Sequence, residues 1–111
     1  MILMSDLNPE DEKLVTLAKG ARARIGALAG ACVRDTDGRT YSGASVKYLD
    51  RSYGAVELAI TTALAAGATS FEAVCVVGEE IIDLDAIKTV LQATGSVIVC
   101  DAQGAVVSVI N

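Results

Sequence analysis

The sequence predicts an α/β domain, with helices packed on a mostly buried sheet. Three observations point there. Phe71 to Val77 and Ser96 to Cys100 are apolar runs of strand length, the first broken only by Glu72, as expected of strands covered on both faces. Three other stretches repeat apolar residues at helical spacing. The resulting order, α-β-β-α-β-α-β-β, puts crossover helices between the second, third and fourth strands, which implies parallel strands and right-handed connections. At 111 residues this is a single domain, 1–111, with enough chain for a two- or three-layer core.

Each element has its own signal. Asn8-Pro9-Glu10-Asp11 reads as an N-cap, a proline at the first helical position and acids favoured by the helix dipole. Leu14, Leu17, Ala18, Ala21 and Ile25 then form one apolar stripe, giving a first helix to about Ala23. Leu28 to Arg34 is a small-residue strand, Asp35 to Gly38 a turn, and Arg39 to Ala44 the returning strand of a hairpin. Ser45 to Tyr53 is predicted as an irregular polar loop. Gly54 to Ala66 is apolar almost all round and is expected to be the central buried helix, closed by Gly67.

After the strand at Phe71 to Val77, Glu79-Glu80 reads as a solvated acidic turn. Asp83 caps a third helix with Leu84, Ile87, Val90 and Leu91 on one face and Gly95 at its end. The strand Ser96 to Cys100 follows, then a turn at Asp101 to Gly104 and a last strand from Ala105 to Ile110. Asp83 and Asp85 with Glu79 and Glu80 supply oxygen ligands, but their spacing matches no calcium loop.

Composition narrows the partners. Hydrophobic residues make up 52% and aromatics 4%, so the core is built from Ala, Val, Ile and Leu, and such a small core gains from self-association. The formal charge is −5, and Arg22, Arg24, Arg34, Arg39 and Arg51 are dispersed, which argues against nucleic acid. Met1-Ile2-Leu3-Met4 is too short for a signal sequence and is followed by Asp6. Val56 to Ala68 is too short to span a membrane, so a cytoplasmic protein is expected. Cys32, Cys75 and Cys100 each sit in an apolar run and are expected to be buried free thiols; with no His in the chain, they lack that base as an activating partner.

The ordered set Asp37-Gly38-Arg39-Thr40-Tyr41-Ser42-Gly43-Ala44-Ser45-Val46, then Ser52-Tyr53-Gly54-Ala55-Val56-Glu57 and an Ala-rich helix, resembles the frame of a cytidine (nucleoside) deaminase. The resemblance runs from Leu14 to Ile110. It implies a three-layer α-β-α domain with a mixed five-stranded sheet in the order 2-1-3-4-5, and a homo-oligomer, dimer or tetramer. It also implies a zinc held by Cys or His ligands, with a non-ligand Glu moving protons.

At those positions this chain departs from the family. Ala55 stands where the first ligand belongs, and the Pro-Cys-x-x-Cys segment falls on Asp83 to Ile87, with Leu84 and Ile87 at the thiolate positions. No metal or other cofactor is therefore expected. Glu57 keeps the place of the proton shuttle, as a relic of it, as a helix-terminal acid, or as the base of another reaction. Ser45 and Lys47 occupy the positions that the family gives to the Asn and Glu gripping the ribose hydroxyls, and Lys reverses the charge.

Ser45, Lys47, Tyr48 and Tyr53 are the candidate ligand-binding residues, and the same loop is alternatively an intersubunit contact or a solvated segment. The expected function is a non-catalytic cytidine deaminase-like protein, acting as an oligomeric interaction or small-ligand-binding module without nucleic acid or membrane partners. Two alternatives are a genuine deaminase of cytidine or deoxycytidine and a metal-free hydrolase using Glu57 with Lys47.

Overall fold

The computed structural model describes residues 7–111, so the Met1–Met4 segment lies outside the described residues. The elements are α1 (Pro9–Ile25), β1 (Ala29–Asp35), β2 (Thr40–Ala44), β3 (Val46–Tyr48), β4 (Arg51–Tyr53), α2 (Ala55–Ala65), β5 (Phe71–Gly78), α3 (Leu84–Lys88), β6 (Leu91–Cys100) and β7 (Val106–Ile110). Five strands form one mixed sheet in the order β2-β1-β5-β6-β7, and β3 pairs with β4 alone. Counting only the strands of the main sheet, that is the order 2-1-3-4-5. β5 and β6 are parallel neighbours, whereas β1 lies between β2 and β5 and runs antiparallel to both.

Alternation along the strands sorts side chains to two faces. Ala31, Val33, Val74, Val76 and Val97 meet α2 and α3 on one side, together with Ala55, Ala59 and Ile87. Cys32, Cys75, Val77, Ile98 and Cys100 meet Leu14, Val15 and Ala18 of α1 on the other. The result is three layers. Glycine permits the close packing: a Cβ at Gly30 would collide with the Ala18 carbonyl oxygen, and one at Gly43 would stand 2.9 Å from the Ala59 nitrogen. Arg34 ties the α1 side together, with Nη2 3.0 Å from Asp11 Oδ1 and Nε 2.7 Å from Glu72 Oε2. Burial works against its charge, but those two partners outweigh burial and raise its pKa.

Caps formed as expected at Asn8, whose Oδ1 accepts from Asp11 N at 2.8 Å, and at Asp83, whose Oδ1 accepts from Ala86 N at 3.1 Å. Four expectations are corrected. α1 runs to Ile25, and its buried stripe is Leu14, Val15, Ala18 and Ala21, leaving Leu17 and Ile25 exposed. α2 is covered on one face only: among the described residues, none covers Thr61, Leu64 and Ala65, which are exposed. The Ser45 to Tyr53 stretch is no irregular loop: β3 and β4 form a tight hairpin whose tip puts Leu49 at φ 59°. α3 ends at Lys88, because Val90 gives its carbonyl to Phe71 N at 2.9 Å and Leu91 enters the sheet opposite Phe71. Gly95 is therefore not a helix cap, and its missing side chain makes room for Leu91 instead.

Two Asp-x-x-Gly turns share one geometry. Asp35 Oδ1 accepts from Asp37 N and Arg39 N at 3.0 and 2.9 Å, and Asp101 Oδ1 accepts from Gln103 N and Ala105 N at 2.9 and 3.0 Å. Gly38 at φ 84° and Gly104 at φ 89° complete them. A Cβ at Gly38 would meet nothing within 4 Å, so Gly38→Ala tests backbone conformation alone. The expected outcome is a loss of about 1 kcal/mol by denaturant unfolding, with unchanged far-UV circular dichroism.

Candidate functional site

The start of α2 organises the site. Gly54 is the N-cap and has no side chain to cap with, so the first helical amides need an acceptor from elsewhere. Glu80 supplies it: Oε1 accepts from Ala55 N at 2.6 Å and Oε2 from Val56 N at 3.1 Å. A bidentate carboxylate on the positive end of a helix is favoured both by hydrogen bonding and by the dipole. Gly54 is open enough to admit it, since a Cβ there would stand 3.2 Å from Glu80 Oε1. Gly78, at φ 107°, turns the chain out of β5 two residues earlier. Glu80 is thus half-buried and bound, not a solvated acid as the sequence suggested. An uncapped glycine-led helix was the signal that some distant acid must serve it.

The three positions matched to metal ligands belong to, or border, the apolar core on the α2 side of the sheet. Ala55 opens α2 and Leu84 opens α3; Ala55 and Ile87 are buried members of that core, and Leu84 packs against it half-buried. Their side chains offer a methyl group and two branched aliphatic groups, none with a lone pair for a metal. Among the described residues, no group of three or more His, Cys, Asp or Glu is placed to hold one.

The remaining candidates divide between two cavities. Glu57 is exposed, accepts from Gly54 N through Oε1 at 3.3 Å, and lines a cavity of about 270 Å³ with Glu80, Ile81, Ile82 and Asp83. Ser45, Lys47 and Tyr53 line a larger cleft of about 580 Å³ with Ile25, Leu28 and Val46. Ser45 is committed to the sheet, its Oγ accepting from Ala29 N at 3.0 Å and lying 3.3 Å from the Ala29 carbonyl oxygen. Tyr48 lies beside Lys47 on β3 but does not line the cleft. Glu57 and Lys47 therefore share neither cavity.

A family model described as cytidine deaminase-like matches residues 7–105. The chain belongs to the cytidine deaminase-like family. Among solved structures, it is similar to a cytidine deaminase from Burkholderia pseudomallei, with 28% identity over 89% of this chain and 90% of that one and a TM-score of 0.72. Those from Mycobacterium leprae (16% identity, 83% of this chain and 89% of that one, TM-score 0.68) and Mycobacterium tuberculosis (17%, 83% and 85%, 0.65) share the fold. No curated protein matches the chain significantly. No helix among the described residues is long and apolar enough to cross a membrane. In this family member the helix that carries Glu57 takes its N-terminal acceptor from Glu80, within the protein itself.

The three cysteines lie apart from this site, free and buried beneath α1. Burial pushes the Cys32 thiol up to about 11, and Cys75 is raised by its hydrogen bond with Cys100 and then by burial.

Two outcomes are expected here. Glu80→Ala should lower stability by about 1–3 kcal/mol in denaturant unfolding, because two helix amides lose their acceptor, while Glu79→Ala at an exposed position changes little. Native protein at pH 8 should resist iodoacetamide at all three cysteines. Cys32 ionises near 9 when unfolded and near 11 when folded, so its contribution holds below pH 9 and is lost as pH rises through 11.

Proposed function

We propose that this chain is a metal-free, non-catalytic member of the cytidine deaminase-like family, acting as an oligomeric interaction or small-ligand-binding module. The observation that carries this reading is the Glu80 carboxylate on the Ala55 and Val56 amides. In a zinc deaminase the residue at the place of Ala55 would be a metal ligand at the helix N-terminus. Here an internal carboxylate satisfies that end of the helix, and the residues at the other two ligand positions, Leu84 and Ile87, are aliphatic members or neighbours of the core. Zinc does not fit this donor set. Glu57 serves the same helix end through its bond to Gly54 N, as a relic of the proton shuttle with a structural role.

Oligomerisation is supported by the uncovered face of α2, where Leu64 is 41% exposed beside Ala65 and Thr61. A second copy would bury that face at little entropic cost in side chains. The dispersed arginines and the acidic balance support a partner other than nucleic acid, in a cytoplasmic setting.

Native mass spectrometry of protein purified without chelators reports metal content and subunit number together. A metal-free oligomer that fails to deaminate cytidine or deoxycytidine is expected. One zinc per subunit with turnover would restore the enzyme reading, and a monomer at micromolar concentration would remove the oligomer. The metal-free hydrolase is disfavoured because Glu57 and Lys47 line separate cavities.

A further inference from the structure

We infer that the larger cleft, beside the β3–β4 hairpin, is a binding site for a small organic monocarboxylate carried on a flat or branched apolar body. The inference rests on the small-ligand reading above and names the ligand class of that site.

The walls are apolar and unusually wet. Ile25 is 57% exposed and Leu28 67% exposed, and both line the cleft with Val46 and the Tyr53 ring. Leaving two large aliphatic side chains in water is unfavourable, and a ligand body laid against them removes that contact. A cleft of about 580 Å³ falls in the range of small-molecule sites.

Charge selects the rest of the ligand. Among the described residues, Lys47 is the one ionised side chain lining the cleft, and it forms no ion pair with any of them. In a chain of net charge −5, an unpaired ammonium beside apolar walls is a local reversal of field. The opposing influence is the carboxyl end of α1 at Gly26. Two of its last carbonyls, those of Ala23 and Arg22, accept from Gly26 N and Ala27 N, and Arg22 and Arg24 in the last turn offset it. Ser52 and Tyr53, which also line the cleft, carry hydroxyl donors. One cation balances one negative charge, and the second charge of a phosphate monoester dianion meets the repulsion of a chain of net charge −5, so a carboxylate suits the cleft better.

The test is a ¹⁵N NMR titration of the intact protein with three probes sharing one body: 2-naphthaleneacetate, its neutral primary amide, and 2-naphthyl phosphate. The carboxylate should shift the amides of Leu28, Val46, Lys47 and Tyr53, with the amide and the phosphate each binding about tenfold more weakly. Lys47→Glu should weaken carboxylate binding by about tenfold or more, and Lys47→Arg should preserve it. Lys47 is exposed, so folding is not at stake, and an unchanged spectrum away from the cleft confirms that. Equal binding of the neutral amide, tighter binding of the phosphate, an indifferent Lys47→Glu, shifts mapping to Glu57 and Glu80, or no binding by any probe would overturn the inference. Zinc content and cytidine turnover of the same sample report separately on the non-catalytic reading, so the two fail by different measurements.

Discussion

Everything in this domain depends on how closely its helices lie on the sheet. The core has almost no aromatic volume, and Phe71 is its one buried ring. Small side chains bury enough surface only if the layers approach closely, and that approach is set at two glycines. Gly30 lets the Ala18 turn of α1 rest on β1, and Gly43 lets the Ala55–Ala59 turn of α2 rest on β2. A methyl group at either position would lift a helix and open the layer beneath it. Because α2 is seated by Gly43, its N-terminus arrives where Glu80 can reach it.

That N-terminus shows how a helix end is satisfied from within the chain. The electrostatic requirement of the helix end does not depend on a metal: partial positive charge and free amides need an acceptor. Glu80 meets it from the segment after β5, while Gly54 leaves room and Gly78 sets the direction. Ala55 and Ile87 belong to the buried core behind it, and Leu84 packs against that core through dispersion contacts. Electrostatics at the helix end and packing behind it are thus handled by different residues.

The same separation divides the surface. Glu57 and Glu80 make one small cavity acidic, whereas Lys47 makes the larger cleft locally basic, and Tyr53-Gly54 is the stretch of chain between them. The β3–β4 hairpin holds Lys47 and Tyr53 in place by pairing Val46 with Tyr53 and Lys47 with Ser52. A left-handed Leu49 at its tip costs on the order of 1 kcal/mol, which the pairing and the cleft wall must offset.

The sequence alone determined the layer pattern, the strand order through the resemblance, the Asn8 and Asp83 caps and the burial of all three cysteines. These follow from local periodicity, capping chemistry and composition, which are written residue by residue. It misjudged α3 because Val90 and Leu91 continue a helical period yet reach the start of the central strand β5, where the Phe71 amide donates to the Val90 carbonyl. It read Glu80 as solvated because nothing local shows that an acid 25 residues downstream will meet the Ala55 amide. It could not tell that Glu57 and Lys47 face different cavities, or that Arg34 joins Asp11 to Glu72. Those are long-range meetings, fixed by the packing of helices on the sheet, and only the tertiary structure decides them.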